Sequence, residues 1–165
     1  MITIHEIAIE EAEELADFIE KAWLEAGSDA MGWTGSNEAN IDEIASQRFL
    51  SDLLATRNVR IFTALENREI VGFTVTRGID LHEEEIAGII VLESKTSLGI
   101  GGRLLNTAIT SVVNEGYDKV IVKTESKNHR ARKFYVENGF QFVKTVQENI
   151  EGKEIDLAVY QKNVK

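Results

Sequence analysis

Apolar and polar residues alternate at the start of the chain, where Ile2 and Ile4 sit between polar neighbours, and this period of two predicts a short strand. The spacing then changes. Leu15, Ile19, Ala22 and Trp23 recur at helical intervals until Gly27, a natural C-cap, so a helix is predicted over about residues 10–26. From Gly27 to Asn40 the chain is rich in Gly, Ser and Asn and reads as a loop. Two large apolar residues in it, Met31 and Trp33, either fold back onto the core or wall a substrate pocket. Ile41, Ile44, Ala45, Phe49 and Leu53 resume a helical stripe.

Strand patterns follow at Val59 to Leu65, Ile70 to Thr76 and Glu84 to Leu92, with a turn at Asn67-Arg68, as in an antiparallel meander. After Gly99 the pattern predicts a glycine-opened helix to Gly116, a strand over Lys119 to Lys123, a helix from Asn128 to Asn138 ended by Gly139, and a hairpin across Glu151-Gly152. A strand, helix, strand succession implies a locally parallel sheet. The expected architecture is one α/β domain over residues 1–165, with a mixed sheet flanked by helices in the order β-α-α-β-β-β-α-β-α-β-β. No proline, repeat or low-complexity stretch interrupts it.

Composition narrows the chemistry. The chain has 165 residues, 43% of them apolar, enough for one core, and no run long enough to span a membrane, so it reads as a cytoplasmic protein. With no cysteine there is no disulfide, thiolate metal site or acyl-cysteine route, and His5, His82 and His129 are too far apart for metal-ligand spacing. A formal charge of -10 disfavours nucleic acid and anionic membranes and favours a cationic partner such as a polyamine or basic peptide.

The most informative stretch runs from Ile86 to Arg103, where a continuous apolar strand enters small residues and then a helix. Unpaired amides at such a helix start sit at the positive end of the macrodipole, and Gly99, Gly101 and Gly102 let a phosphate approach them. A dinucleotide fingerprint fails because Leu104 stands where its third glycine belongs, and a P-loop fails on Gly102-Arg103-Leu104. The residues that do match, Thr96-Ser97-Leu98-Gly99-Ile100-Gly101, resemble the Arg/Gln-x-x-Gly-x-Gly/Ala loop of the GNAT superfamily of N-acetyltransferases. Thr96 departs from that pattern by replacing a long side chain, which shifts the grip on a pyrophosphate toward backbone amides. The resemblance implies a mostly antiparallel GNAT-like sheet, acetyl-CoA as cofactor, contacts from Thr96 through Arg103, and pantetheine contacts from the backbone of Ile89 and Val91.

A second stretch, Asn128-His-Arg-Ala131-Arg-Lys-Phe134-Tyr135-Val-Glu-Asn-Gly139-Phe140, is similar to the family's Asn-x-x-Ala-x-x-Phe-Tyr-x-x-x-Gly-Phe signature at every fixed position. Spacings of three and four put Asn128, Ala131 and Tyr135 on one helix face, which the resemblance makes a cofactor wall, with Phe134 packing beside it. Tyr135 is the expected catalytic residue, since a phenol is able to donate a hydrogen bond or a proton to the departing CoA thiolate. Between Lys123 and Lys133, five cations (Lys123, Lys127, Arg130, Arg132, Lys133) stand against Glu125 alone, either a lure for a phosphate-rich ligand or a solvated face.

An alkyl amine is almost wholly protonated at neutral pH, so attack on the acyl group requires a proton acceptor or a water chain. Glu85, on the incoming strand, resembles in position the catalytic Glu of histone-type members. Glu93 is the second candidate, while Asp80, His82, Glu83 and Glu84 read as a polar turn. The function implied is direct acetyl transfer to a primary amine of a small molecule or basic peptide in a ternary complex. The alternatives are a non-catalytic acyl-CoA-binding module, or an enzyme with a longer acyl donor or a non-amine acceptor. By the same resemblance, acceptor choice lies in Trp23 to Phe49 and Gln147 to Ile155. Glu154 to Tyr160 reads as an exposed edge that offers pairing to a second copy in a homodimer.

Overall fold

In the computed structural model, which describes residues 1–26, 41–150 and 152–165, the strand patterns assemble into one seven-stranded sheet. Its strands are β1 (Ile2–Glu6), β2 (Val59–Glu66), β3 (Glu69–Gly78), β4 (Glu83–Val91), β5 (Lys119–Glu125), β6 (Gln141–Ile150) and β7 (Lys153–Asn163), in the spatial order β1-β2-β3-β4-β5-β7-β6. Every neighbouring pair is antiparallel except β4 with β5. The β2–β3 turn places Asn67 and Arg68 at φ 51° and 69°, the double left-handed geometry that matches hairpin twist.

The helices are α1 (Ala12–Ala26), α2 (Ile41–Ile44), α3 (Gln47–Ala55), α4 (Ile100–Asn114) and α5 (His129–Glu137). A 3-10 turn over Ile9–Glu11 precedes α1, where Glu11 accepts from the Ala8 amide at 2.8 Å and so caps the entry. The single second helix expected from the Ile41 to Leu53 stripe is two helices. Ser46 takes an extended conformation between them and accepts from the Phe49 amide at 3.2 Å, an N-cap that starts α3 afresh. Met31 and Trp33 lie outside the described residues.

Adjacent residues of β3 show how the layers are arranged. Phe73 meets Phe18 of α1 edge-on, with ring centroids 5.9 Å apart. A Cβ on its neighbour Gly72 would instead come within 3.2 Å of Leu104 in α4. Since successive strand residues point to opposite faces, α1 and α4 cover opposite faces of the sheet. One apolar cluster joins α1, β2 and β3. A second joins Leu105, Ala108 and Val112 of α4 to Val120, Val122, Tyr135, Ala158 and Tyr160.

Two sequence readings are corrected. Glu154 to Tyr160 is not an edge: β7 lies between β5 and β6, and the outer strand is β6. The chain order of a hairpin does not reveal which arm pairs inward. Glu84 is not part of a solvated turn, for it is 3% exposed within β4. Its pKa is raised, first by burial.

Candidate active site

The site begins where two parallel strands part. β4 and β5 pair only over Glu83–Ile86 and Lys119–Val122. Beyond that point β4 continues to Val91 along β3, and β5 continues to Glu125 along β7. Ala87 to Val91 and Lys123 to Glu125 therefore keep their outer neighbours and lose each other. Backbone polar groups on the gap side have no sheet partner, which suits a linear ligand that hydrogen-bonds to main chain. Ile89 and Val91, both half-buried, stand on this stretch. Ala87 is an extra residue in β4 opposite Val75 and Thr76, a bulge of the kind that bends a strand away from its neighbour.

At the head of the gap the chain makes a 3-10 segment, Glu93–Leu98, then turns into α4 through Gly99 at φ 75° and ψ 11°. Only glycine adopts this left-handed conformation without strain. No side chain caps α4, so its first amides face outward at the positive helix end. A Cβ at Gly101 would lie 3.7 Å from Phe134 and 3.9 Å from Val91, so this glycine keeps open the crevice between α4, α5 and β4. Ser97, Leu98 and Gly99 are exposed, Gly102 is half-buried, and Ile100 is buried in the core with only its backbone facing the turn. These features fit a pyrophosphate-bearing arm held by amides.

Two side chains of the loop are committed elsewhere. Thr96 donates its hydroxyl to the Glu93 carbonyl at 3.0 Å, and Arg103 donates to the Ile2 carbonyl at 2.9 Å, tying α4 to β1. Asn128 caps α5, accepting from the Ala131 amide at 3.1 Å. Its side-chain oxygen is thus spent on the helix, while Ala131 is half-buried one turn on.

At the foot of the gap Tyr135 packs with Ile86 and Val122, the last residues of β4 and β5 that still pair. Phe134, Phe140 and Tyr160 surround its ring at 5.4, 5.5 and 6.5 Å between centroids. Burial pushes its phenol above the ordinary value, so the hydroxyl holds its proton. Arg132 fixes this corner, donating to Tyr160 Oη at 2.9 Å and to the Ser126 carbonyl at 3.0 Å.

Glu85 is 7% exposed and points to the opposite face from Glu84. Its Oε1 accepts from Arg77 Nη2 at 2.7 Å, and its Oε2 lies 3.9 Å from Lys123 Nζ. Lys123 also reaches Glu148 of β6 at 3.0 Å. Arg77 had no signal in the linear sequence, Lys123 stood there only as one cation of the basic window, and Glu148 only as part of the segment Gln147 to Ile155. Arg77 stands opposite Glu85 in the β3–β4 register, and only that register brings them together.

The basic window is neutralised across space. Lys127 pairs with Glu125, Arg130 with Glu93 and Lys133 with Glu137, at 3.6 to 3.7 Å. Lys123 and Arg132 are engaged as described above. Most of the balancing groups lie outside the window, which is why its local charge overstated any attraction for phosphate.

A mixed sheet parted at its parallel pair, with an uncapped glycine-opened helix beside the opening, is the GNAT acetyltransferase fold. Direct comparison places the chain: the model of the acetyltransferase (GNAT) family matches residues 12–140, and the chain belongs to this family. It is similar to a probable acetyltransferase from Staphylococcus epidermidis, with TM-score 0.81 and 16% identity over 100% of both chains. The paiA N-acetyltransferase of Thermoplasma acidophilum, solved in complex with coenzyme A, superimposes with TM-score 0.74 and 20% identity over 99% of both. The ribosomal-protein-S18-alanine N-acetyltransferase of Escherichia coli gives TM-score 0.74 and 15% identity over 100% of this chain and 95% of that one. At such identities the likeness is one of fold. No curated protein matches.

Proposed function

We propose that this cytoplasmic acetyltransferase uses acetyl-CoA and transfers the acetyl group directly to a primary amine of a small molecule or basic peptide. The observation that carries the reading is the strand gap beyond Ile86 and Val122, with free amides at its head and a buried tyrosine at its foot. When bound, acetyl-CoA supplies an activated acyl thioester and a thiol leaving group. The backbone of Ile89 and Val91 would hold its arm, and the amides from Leu98 to Gly102 its pyrophosphate. Thr96 would contribute through main chain, because its hydroxyl is bonded within the fold, while Arg103, whose amide donates to the Gly99 carbonyl and whose side chain donates to the Ile2 carbonyl, would hold the first turn of α4 in place beside the arm. Glu85 Oε2, the oxygen with the longer contact, would take the acceptor's ammonium proton, leaving a neutral amine to attack. The Tyr135 hydroxyl would keep its proton and donate a hydrogen bond to the departing thiolate as charge develops on sulfur, with the proton that the attacking nitrogen loses completing the thiol. The net charge of -10 favours a cationic acceptor.

The test is CoA release from acetyl-CoA against polyamines, amino acids, aminoglycosides and basic peptides, with calorimetric acetyl-CoA binding alongside. Turnover on one amine class, cut about 10²-fold in kcat by Tyr135→Phe with binding retained, is the expected result. Tight binding with no turnover anywhere would instead make the chain an acyl-CoA-binding module. No binding at all would refute the proposal.

A further inference from the structure

The two edges of the sheet are unlike each other. β1, at one end, has five residues and is tied to α4 by the Arg103 bond to Ile2. β6, at the other end, has ten residues without Gly or Pro. Most of it is exposed, and Phe142 and Val143 are 51% and 44% accessible. A long strand with an open row of main-chain donors and acceptors is a template for another strand.

We propose that β6 pairs antiparallel with β6 of a second copy about a two-fold axis through Val146, joining the two sheets into one. Residues directly opposed across an antiparallel pair either both turn their N–H and C=O groups toward the partner or both turn them away, so the axis must pass through a residue. Centring it on Lys144 or Glu148 sets a charge against its own copy, which is unfavourable. Thr145 and Val146 are the centres that preserve the longest overlap of the ten-residue strand. Of these, only Val146 places Lys144 opposite Glu148, twice by symmetry, with Thr145 opposite Gln147. The bulge in β6, between Phe142 and Lys144, falls outside the stretch from Lys144 to Glu148 and leaves that stretch regular. Glu148 already meets Lys123, which meets Glu85, so the partner's Lys144 would join the ion network beside the proposed base.

Sedimentation velocity over a concentration series tests this, with circular dichroism to confirm folding and oligomeric state as the readout. Wild type is expected to dimerise and Lys144→Glu to weaken the dimer by about tenfold or more, because each copy then opposes two like charges. The double variant Lys144→Glu/Glu148→Lys is expected to restore it. A wild type that stays monomeric at every concentration overturns the proposal. So does a dimer indifferent to both Lys144→Glu and Val146→Pro, which would pair through another surface. A double variant that fails to regain the dimer overturns the register centred on Val146.

Discussion

Tyr135 and Glu84 are both buried, and burial raises the pKa of each, with different consequences. For Tyr135 the shift keeps the phenol protonated through the working pH range, since even an unperturbed tyrosine titrates only near roughly pH 10. The wild-type pH profile of kcat should therefore show no alkaline loss from this group below that value. Tyr135→Phe should lower kcat evenly across the profile without moving its limbs, as pH-rate measurements on both proteins would show. For Glu84 the shift is a stability statement. The folded carboxyl binds its proton more tightly than the unfolded one, so ionisation costs stability as pH rises from the unfolded pKa through the folded one, and the deficit remains above. Oε2 of Glu84 is buried, and the neighbouring Thr76 hydroxyl, itself buried, offsets the burial only in part. Glu84→Gln should accordingly raise stability by about 1 kcal/mol at neutral pH, and the gain should vanish below the ordinary carboxylate pKa, where wild type is itself protonated. Chemical denaturation at both pH values reads the difference.

Gly99 shows how far sequence reaches at the level of elements. A glycine between a buried strand and an apolar helix pattern announces a turn, and the structure gives it φ 75° at the start of α4. Gly99→Ala should cost about 1 kcal/mol through left-handed strain and weaken acetyl-CoA binding by displacing the first amides of α4. Thermal melting and calorimetry measure the two effects separately. The helix starts at Gly99 and Asn128 and the turn at Asn67-Arg68 all depend on residues within a few positions, and this is why local pattern came close to them. The division of Ile41 to Leu53 into two helices was missed because the apolar stripe continues through Ser46 while the backbone does not. Arg132 was counted as a surface cation because its partners, Tyr160 and Ser126, belong to elements that only folding brings near.

At the scale of the whole molecule, the sheet is two antiparallel blocks, β1 to β4 and β5 to β7, joined by a parallel pairing of four residues on each strand. This join was the least legible feature, because it rests on registers between strands some thirty-five residues apart rather than on any periodicity. It also predicts where ligand binding should be felt. Amides of Ala87 to Val91 and of Lys123 to Glu125 have gap-side positions that no strand protects, so a ligand seated there should slow their hydrogen exchange in both blocks at once. The β2–β3 and β6–β7 pairings, away from the gap, should change little. Acetyl-CoA at a hundredfold excess over its Kd should also stabilise the fold by about 2.7 kcal/mol if it does not bind the unfolded chain. Exchange that slows only around Gly99 would mean that the loop binds phosphate while the arm lies elsewhere. Unchanged exchange in both segments, at saturation verified by calorimetry, would remove the gap from the active site altogether.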